Sequence, residues 1–70
     1  MNTMAVISFQ SYGYTAEPTY VMSERITHFY GVDYNGRSGT TIVLDTDKEV
    51  TVGEYASVVQ RKIEDAQKDG

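Results

Sequence analysis

Between residues 25 and 67 the chain keeps one pattern without a break, and few folds accommodate it. An aromatic-rich extended run (residues 26–34) leads into a glycine turn, Asn35-Gly36-Arg37-Ser38-Gly39. A β-branched run (residues 40–44) follows, then a charged turn, a short run at 49–52 and an amphipathic segment at 54–68. Asn-Gly tolerates positive φ at both positions, which makes it a strong short-range hairpin signal. The apolar period is two before residue 53 and three-to-four after it, so the pattern predicts an antiparallel meander closed by a helix. The expected fold class is α+β: a three- to four-stranded antiparallel sheet with one C-terminal helix packed on one face. Seventy residues leave room for one small domain, 1–70, with residues 1–3 and 69–70 expected to fray.

The alternation assigns faces. Ala5, Ile7 and Phe9 share one side of a first strand, and residues 20–22 make a short second one after the connection at 11–19. Ser23-Glu24-Arg25 is long enough for one helical turn. Ile26, His28, Tyr30, Val32 and Tyr34 fall on one side of the next strand, and Thr27, Phe29, Gly31 and Asp33 on the other. Aromatics on both sides predict a central strand covered twice. Gly39 suggests a longer loop or a bulge beside the turn. Ile42 and Leu44 are expected inward, with Thr41 and Asp45 towards water. In the helix, Ala56, Val59, Ile63 and Ala66 recur at three and four with Tyr55 adjoining, while Gln60, Arg61, Glu64 and Lys68 lie off that stripe. Glu54 is expected in the first turn, with Thr51 and Glu54 matching a capping box; Gly53 makes a later start equally reasonable. Glu64 and Lys68 form an i,i+4 pair.

Composition removes several chemistries. With no cysteine, disulfides and thiolate metal sites are excluded, and a reducing cytoplasm is the expected location. No apolar run approaches 18 residues, so no membrane span is expected. Met1-Asn2-Thr3-Met4 lacks the layout of a signal peptide. Ten acidic residues against six basic ones give a net charge of −4. The basic residues are scattered among carboxylates, which argues against direct nucleic-acid binding and suits a basic protein partner.

No motif carries catalysis or a cofactor. His28 is alone and has no acidic or serine partner at a telling spacing; it reads as a strand histidine beside Tyr30. The acids of Asp45-Thr46-Asp47-Lys48-Glu49 alternate, but a calcium loop counted from Asp45 would put Val50 where glycine is needed and Ala56 where glutamate is needed. Gly36-Arg37-Ser38-Gly39 lacks the Gly-Lys-Ser/Thr ending of a phosphate cradle and leads into no helix. Both segments read as turns, and no metal or cofactor is expected.

Tyrosine is the unusual quantity, six in seventy residues without a tryptophan. Three uses compete, in this order: packing in a core too small for tryptophan, a protein interface, and stacking of single-stranded nucleic acid. The third normally needs flanking Arg or Lys. The expected contact residues are Tyr12, Tyr14 and Glu17 in one loop and Tyr34 with Arg37 at the hairpin tip. Loops concentrate recognition, and aromatics combined with charge supply energy and steering.

Ile26 as the apolar start of a strand, Thr41-Ile42-Val43-Leu44 closing the hairpin, and Val52-Gly53-Glu54 entering a helix with Val59 and Ile63 inward together form a pattern over residues 20–66. That stretch resembles the small bacterial FlbD-like proteins, a family of flagellar-operon and phage-borne chains. It departs from them at Tyr55, where the family has serine, at the Asp47-Lys48 turn, and at residues 10–18. The resemblance implies a small regulatory protein without catalysis, and it carries over no functional residue. The expected function is a non-catalytic regulator that binds a larger protein. Its sharpest form is a phage-type inhibitor of host machinery such as RNA polymerase, and so of transcription, a class in which short, acidic, cysteine-free chains are common. The alternative is a nucleic-acid-associated module using a tyrosine-rich sheet.

Overall fold

The computed structural model describes residues 5–13 and 17–68, the side chain of Lys68 excepted. Strand β1 (Val6–Phe9) pairs antiparallel with β2 (Thr19–Met22), and a single 3-10 turn (Ser23–Arg25) leads on. Strands β3 (Ile26–Tyr34), β4 (Arg37–Leu44) and β5 (Glu49–Val52) form an antiparallel meander, and helix α1 (Ala56–Lys68) follows. The fold is α+β, as the periodicities predict, with the strands divided between a two-stranded and a three-stranded sheet. A bridge between Ser11 and Val52 joins the two sheets along the outer edge of β5. The frayed ends expected at 1–3 and 69–70, and the Glu64–Lys68 pair, lie outside the described residues or side chains.

Each element follows from its residues. Asn35 (φ 55°) and Gly36 (φ 80°) both take positive φ, which defines the type I′ turn whose twist matches a hairpin. The Gly36 N–H also donates to Asp33 Oδ1 at 3.0 Å. Ile7 and Phe9 are buried while Val6 and Ser8 are exposed, the alternation expected for β1. The core is Ile7, Phe9, Val21, Ile42, Val52, Val59 and Ile63, with Ile26, Phe29, Leu44, Val50 and Ala66 packed against it. Val59 and Ile63 bring the helix onto the sheet, each contributing about 1.5–3 kcal/mol by leaving water. Tyr55 is exposed and does not join the helix stripe.

Four expectations need correction. Strand β3 is an edge strand, and β4 is the central one. Its aromatics alternate, Phe29 towards the core and Tyr30 and Tyr34 on the open face, and a bulge between Ile26 and His28 shifts the register so that Ile26 joins Phe29 against the core, opposite Leu44 and Ile42. Thr41 is buried, at 3% exposure, because it sits mid-sheet between Tyr30 and Thr51 and shares a 3.0 Å hydrogen bond with the Thr51 hydroxyl. Gly39 belongs to β4, not to a loop. Finally, the helix begins at Ala56, where the Tyr55 carbonyl accepts its first bonds from Val58 and Val59. The first turn therefore holds no acid. Glu54 lies before it, and its carboxylate is drawn instead to the Gln10 N–H at 2.7 Å and Lys62 Nζ at 2.9 Å.

Candidate interaction site on the open sheet face

The three-stranded sheet has one face under the helix and one without it. Register places Ile26, Phe29, Thr40, Ile42 and Val52 on the helix face. Paired strand residues share a face, so Tyr30, Val32, Tyr34, Arg37, Gly39, Thr41 and Thr51 lie on the other.

The segment after β1 crosses onto this open face because two glycines let it. The Gly53 N–H donates to the Gln10 carbonyl at 2.7 Å, which brings Ser11 and Tyr12 down beside β5. A Cβ at Gly53 would stand 2.6 Å from the Ser11 oxygen. A Cβ at Gly39 would stand 2.5 Å from the Val52 oxygen and 2.7 Å from the Tyr12 ring. Any side chain at either position would push Tyr12 off the sheet.

Seated there, the Tyr12 hydroxyl donates to the Arg37 carbonyl at 2.8 Å. Its ring meets Tyr34 edge to face, centroids 6.2 Å apart at 76°, and the Arg37 guanidinium lies 5.8 Å from its centroid. The arrangement satisfies the ring quadrupole twice: the edge-to-face pair is worth about 0.5–1.5 kcal/mol and an exposed cation–π contact about 0.5–1 kcal/mol. Tyr12 is half-buried, whereas Tyr34 remains 59% and Tyr30 46% exposed. His28 is exposed on the same face, its Nδ1 3.0 Å from Thr27 Oγ1.

Of the expected contact residues, the structure brings Tyr12, Tyr34 and Arg37 into one cluster, where sequence reading had two separate loops. Tyr14 lies outside the described residues. Glu17 is exposed, and its carbonyl accepts a hydrogen bond from Ser11 Oγ. None of the described tyrosines is in the core; Tyr20, Tyr30, Tyr34 and Tyr55 are exposed, which corrects the core-packing expectation. Sequence reasoning missed Gly39 as the seat of Tyr12. Its only signal was a glycine immediately before the β-branched run.

A second polar cluster lies on the helix side of the sheet, beside the same end of β5, where the Thr40 hydroxyl donates to the Glu54 carbonyl at 2.8 Å. Lys62 Nζ donates to Glu54 Oε2 and, at 2.8 Å, to the Ser8 carbonyl, while lying 5.4 Å from the Phe9 ring centroid. Glu54 is only 12% exposed, and its Oε1 is buried without a hydrogen-bond partner. This ties helix, β1 and the β5–α1 connection together. Among the described residues no group of three or more histidine or acidic side chains is placed to hold a metal, and no helix is long and apolar enough to cross a membrane.

Among known proteins, no family model matches this chain, and no curated protein or solved structure matches it.

Proposed function

We propose that the chain is a non-catalytic protein-binding domain, a small regulator whose contact surface is the Tyr12–Tyr34–Arg37 cluster on the open sheet face. One observation carries this reading. Exposed aromatic area, a hydroxyl-anchored ring and a guanidinium converge on a rigid strand platform. Tyrosine and arginine are the residue types enriched where protein interfaces concentrate their energy. The net charge of −4 favours a partner with a basic surface, through steering at long range. A cytoplasmic location accords with the absence of cysteine. The chain's small size, acidity and lack of cysteine support the sharpest form of this reading, a phage-type inhibitor of host machinery such as RNA polymerase.

The same tyrosines favour a second reading, stacking of single-stranded nucleic acid on Tyr30 and Tyr34. Two measurements separate them. Tagged wild-type protein and the Tyr34→Ala variant are incubated with lysate, and captured proteins are compared by mass spectrometry. Labelled single-stranded RNA and DNA are titrated at low and high salt. The protein-binding reading expects a partner that the variant loses and no steeply salt-dependent nucleic-acid binding. Salt-sensitive RNA or DNA binding lost in the variant would replace it with the second reading.

A further inference from the structure

The two sheets treat their edges differently. In β1 the residues that point away from β2 are Val6, Ser8 and Gln10, since Ala5 is bonded to the Ser23 N–H on the β2 side. The Ser8 carbonyl is taken by Lys62, the Gln10 N–H by Glu54 and the Gln10 carbonyl by the Gly53 N–H. Three of the six outward groups on that edge, all towards its Gln10 end, are thereby taken.

The outer edge of β3 is open. Leu44 donates to the Lys48 carbonyl on the β5 side. Antiparallel bonding alternates along a strand, so Arg37, Gly39, Thr41 and Val43 face β3. Their partners Tyr34, Val32, Tyr30 and His28 therefore spend their backbone groups within the hairpin. Phe29, Gly31 and Asp33 turn theirs outward, three N–H and three C=O groups, and none meets a backbone partner among the described residues. From Phe29 to Tyr34 the edge holds no lysine or proline and a single charge, Asp33, and the bulge is confined to its beginning.

We infer that the β3 edge pairs with β3 of a second copy of this chain, antiparallel and centred on Gly31, to give a continuous six-stranded sheet. The sequence of the edge is self-complementary in that register. Phe29 opposes Asp33 of the second copy and Gly31 opposes Gly31, so all three outward residues bond in both directions. On the open face, Tyr30 opposes Val32 and His28 opposes Tyr34. These are aromatic–aliphatic and aromatic–aromatic pairs of the kind that stabilise strand pairing, and no carboxylate faces another. On the helix face Gly31 has no side chain, and a Cβ there would already lie 3.9 Å from Ala56 Cβ. Pairing also joins the two open faces, presenting both Tyr12–Tyr34–Arg37 clusters on one surface; the dimer itself does not depend on what those clusters bind.

One strand against one strand buries little area, so the dissociation constant is expected on the order of 10–100 µM. Sedimentation equilibrium up to about 1 mM chain, well above that range, should show the mass rising from 7.8 kDa towards twice that value. Amide exchange should slow with concentration at Phe29, Gly31 and Asp33, and stay unchanged at Tyr30 and Val32. Val32→Lys should leave the fold intact and weaken association at least tenfold. Mixing Val32→Lys with Tyr30→Glu should restore it, because the two introduced charges face one another only in this register. A monomer at every concentration overturns the inference, as does a dimer that Val32→Lys leaves unchanged. A monomer whose edge amides are protected only by an added protein would assign the edge to a different partner and also overturn it.

Discussion

Gly39→Ala puts the seating of Tyr12 to a severe test, because two principles predict opposite signs. By backbone propensity alone, replacing a strand glycine with alanine stabilises by about 0.5–1 kcal/mol. The packing predicts the reverse. The added methyl would stand 2.5 Å from the Val52 oxygen and 2.7 Å from the Tyr12 ring. Val52 is fixed by pairing with Thr40 on the central strand β4, so the tyrosine must give way. Its hydrogen bond to the Arg37 carbonyl is then lost, about 1 kcal/mol, and its edge contact with Tyr34 goes with it, about 0.5–1.5 kcal/mol. Residual crowding against the Val52 carbonyl adds about 1–3 kcal/mol. After the propensity gain is subtracted, a net loss of about 1.5–5 kcal/mol remains. Urea denaturation followed by far-UV circular dichroism measures it, and near-UV dichroism reports whether the tyrosine environment changes. Tyr12→Phe, which removes the hydroxyl but keeps the ring, should cost only about 1 kcal/mol. A Gly39→Ala variant within about 0.5 kcal/mol of wild type, or more stable, would refute the close seating of Tyr12 on β4.

Lys62→Met should lower stability by about 1–3 kcal/mol, since it leaves the nearly buried Glu54 carboxylate without its cation; adding Glu54→Gln to the same chain should recover part of that loss in a double-mutant cycle. Val59→Asp should abolish cooperative unfolding, as it sets an unpaired charge where the helix meets the sheet; a normal denaturation curve would contradict the core assignment. A chelator should leave the thermal midpoint unchanged, and a drop of several degrees would reveal a metal site that the residue pattern does not anticipate.

Much of the fold was legible because it is local. Asn35-Gly36 dictates its own turn, the alternation in residues 5–9 dictates its buried face, and the Val59–Ile63 stripe dictates the helix orientation. What failed depends on who sits beside whom. Aromatics on both sides of residues 26–34 look the same whether a strand is covered twice or has one open face, and only the strand order and the register with β4 distinguish them. Thr41 reads as a solvent-facing residue until Tyr30 and Thr51 are known to flank it. Glu54 matched a capping box with Thr51, yet a lysine eight residues on and a backbone N–H 44 residues back compete for the same carboxylate. The candidate site is the plainest case. Tyr12 and Tyr34 were each singled out by type and loop position, but their meeting rests on Gly39 and Gly53, whose missing side chains leave no apolar period to read.

The central claim is that the Tyr12–Tyr34–Arg37 cluster is the surface that binds a protein partner. It is tested most directly by isothermal titration of the captured, purified partner with wild type, Tyr34→Ala, Arg37→Glu and Arg61→Glu. Arg37→Glu keeps the backbone carbonyl that holds Tyr12, and Arg61 lies on the exposed side of the helix, away from the cluster. Tyr34→Ala and Arg37→Glu should each weaken binding by about 1 kcal/mol or more, with Arg61→Glu unchanged. Wild-type affinity in both cluster variants, with the loss appearing at Arg61→Glu, would contradict it and place the interface on the helix.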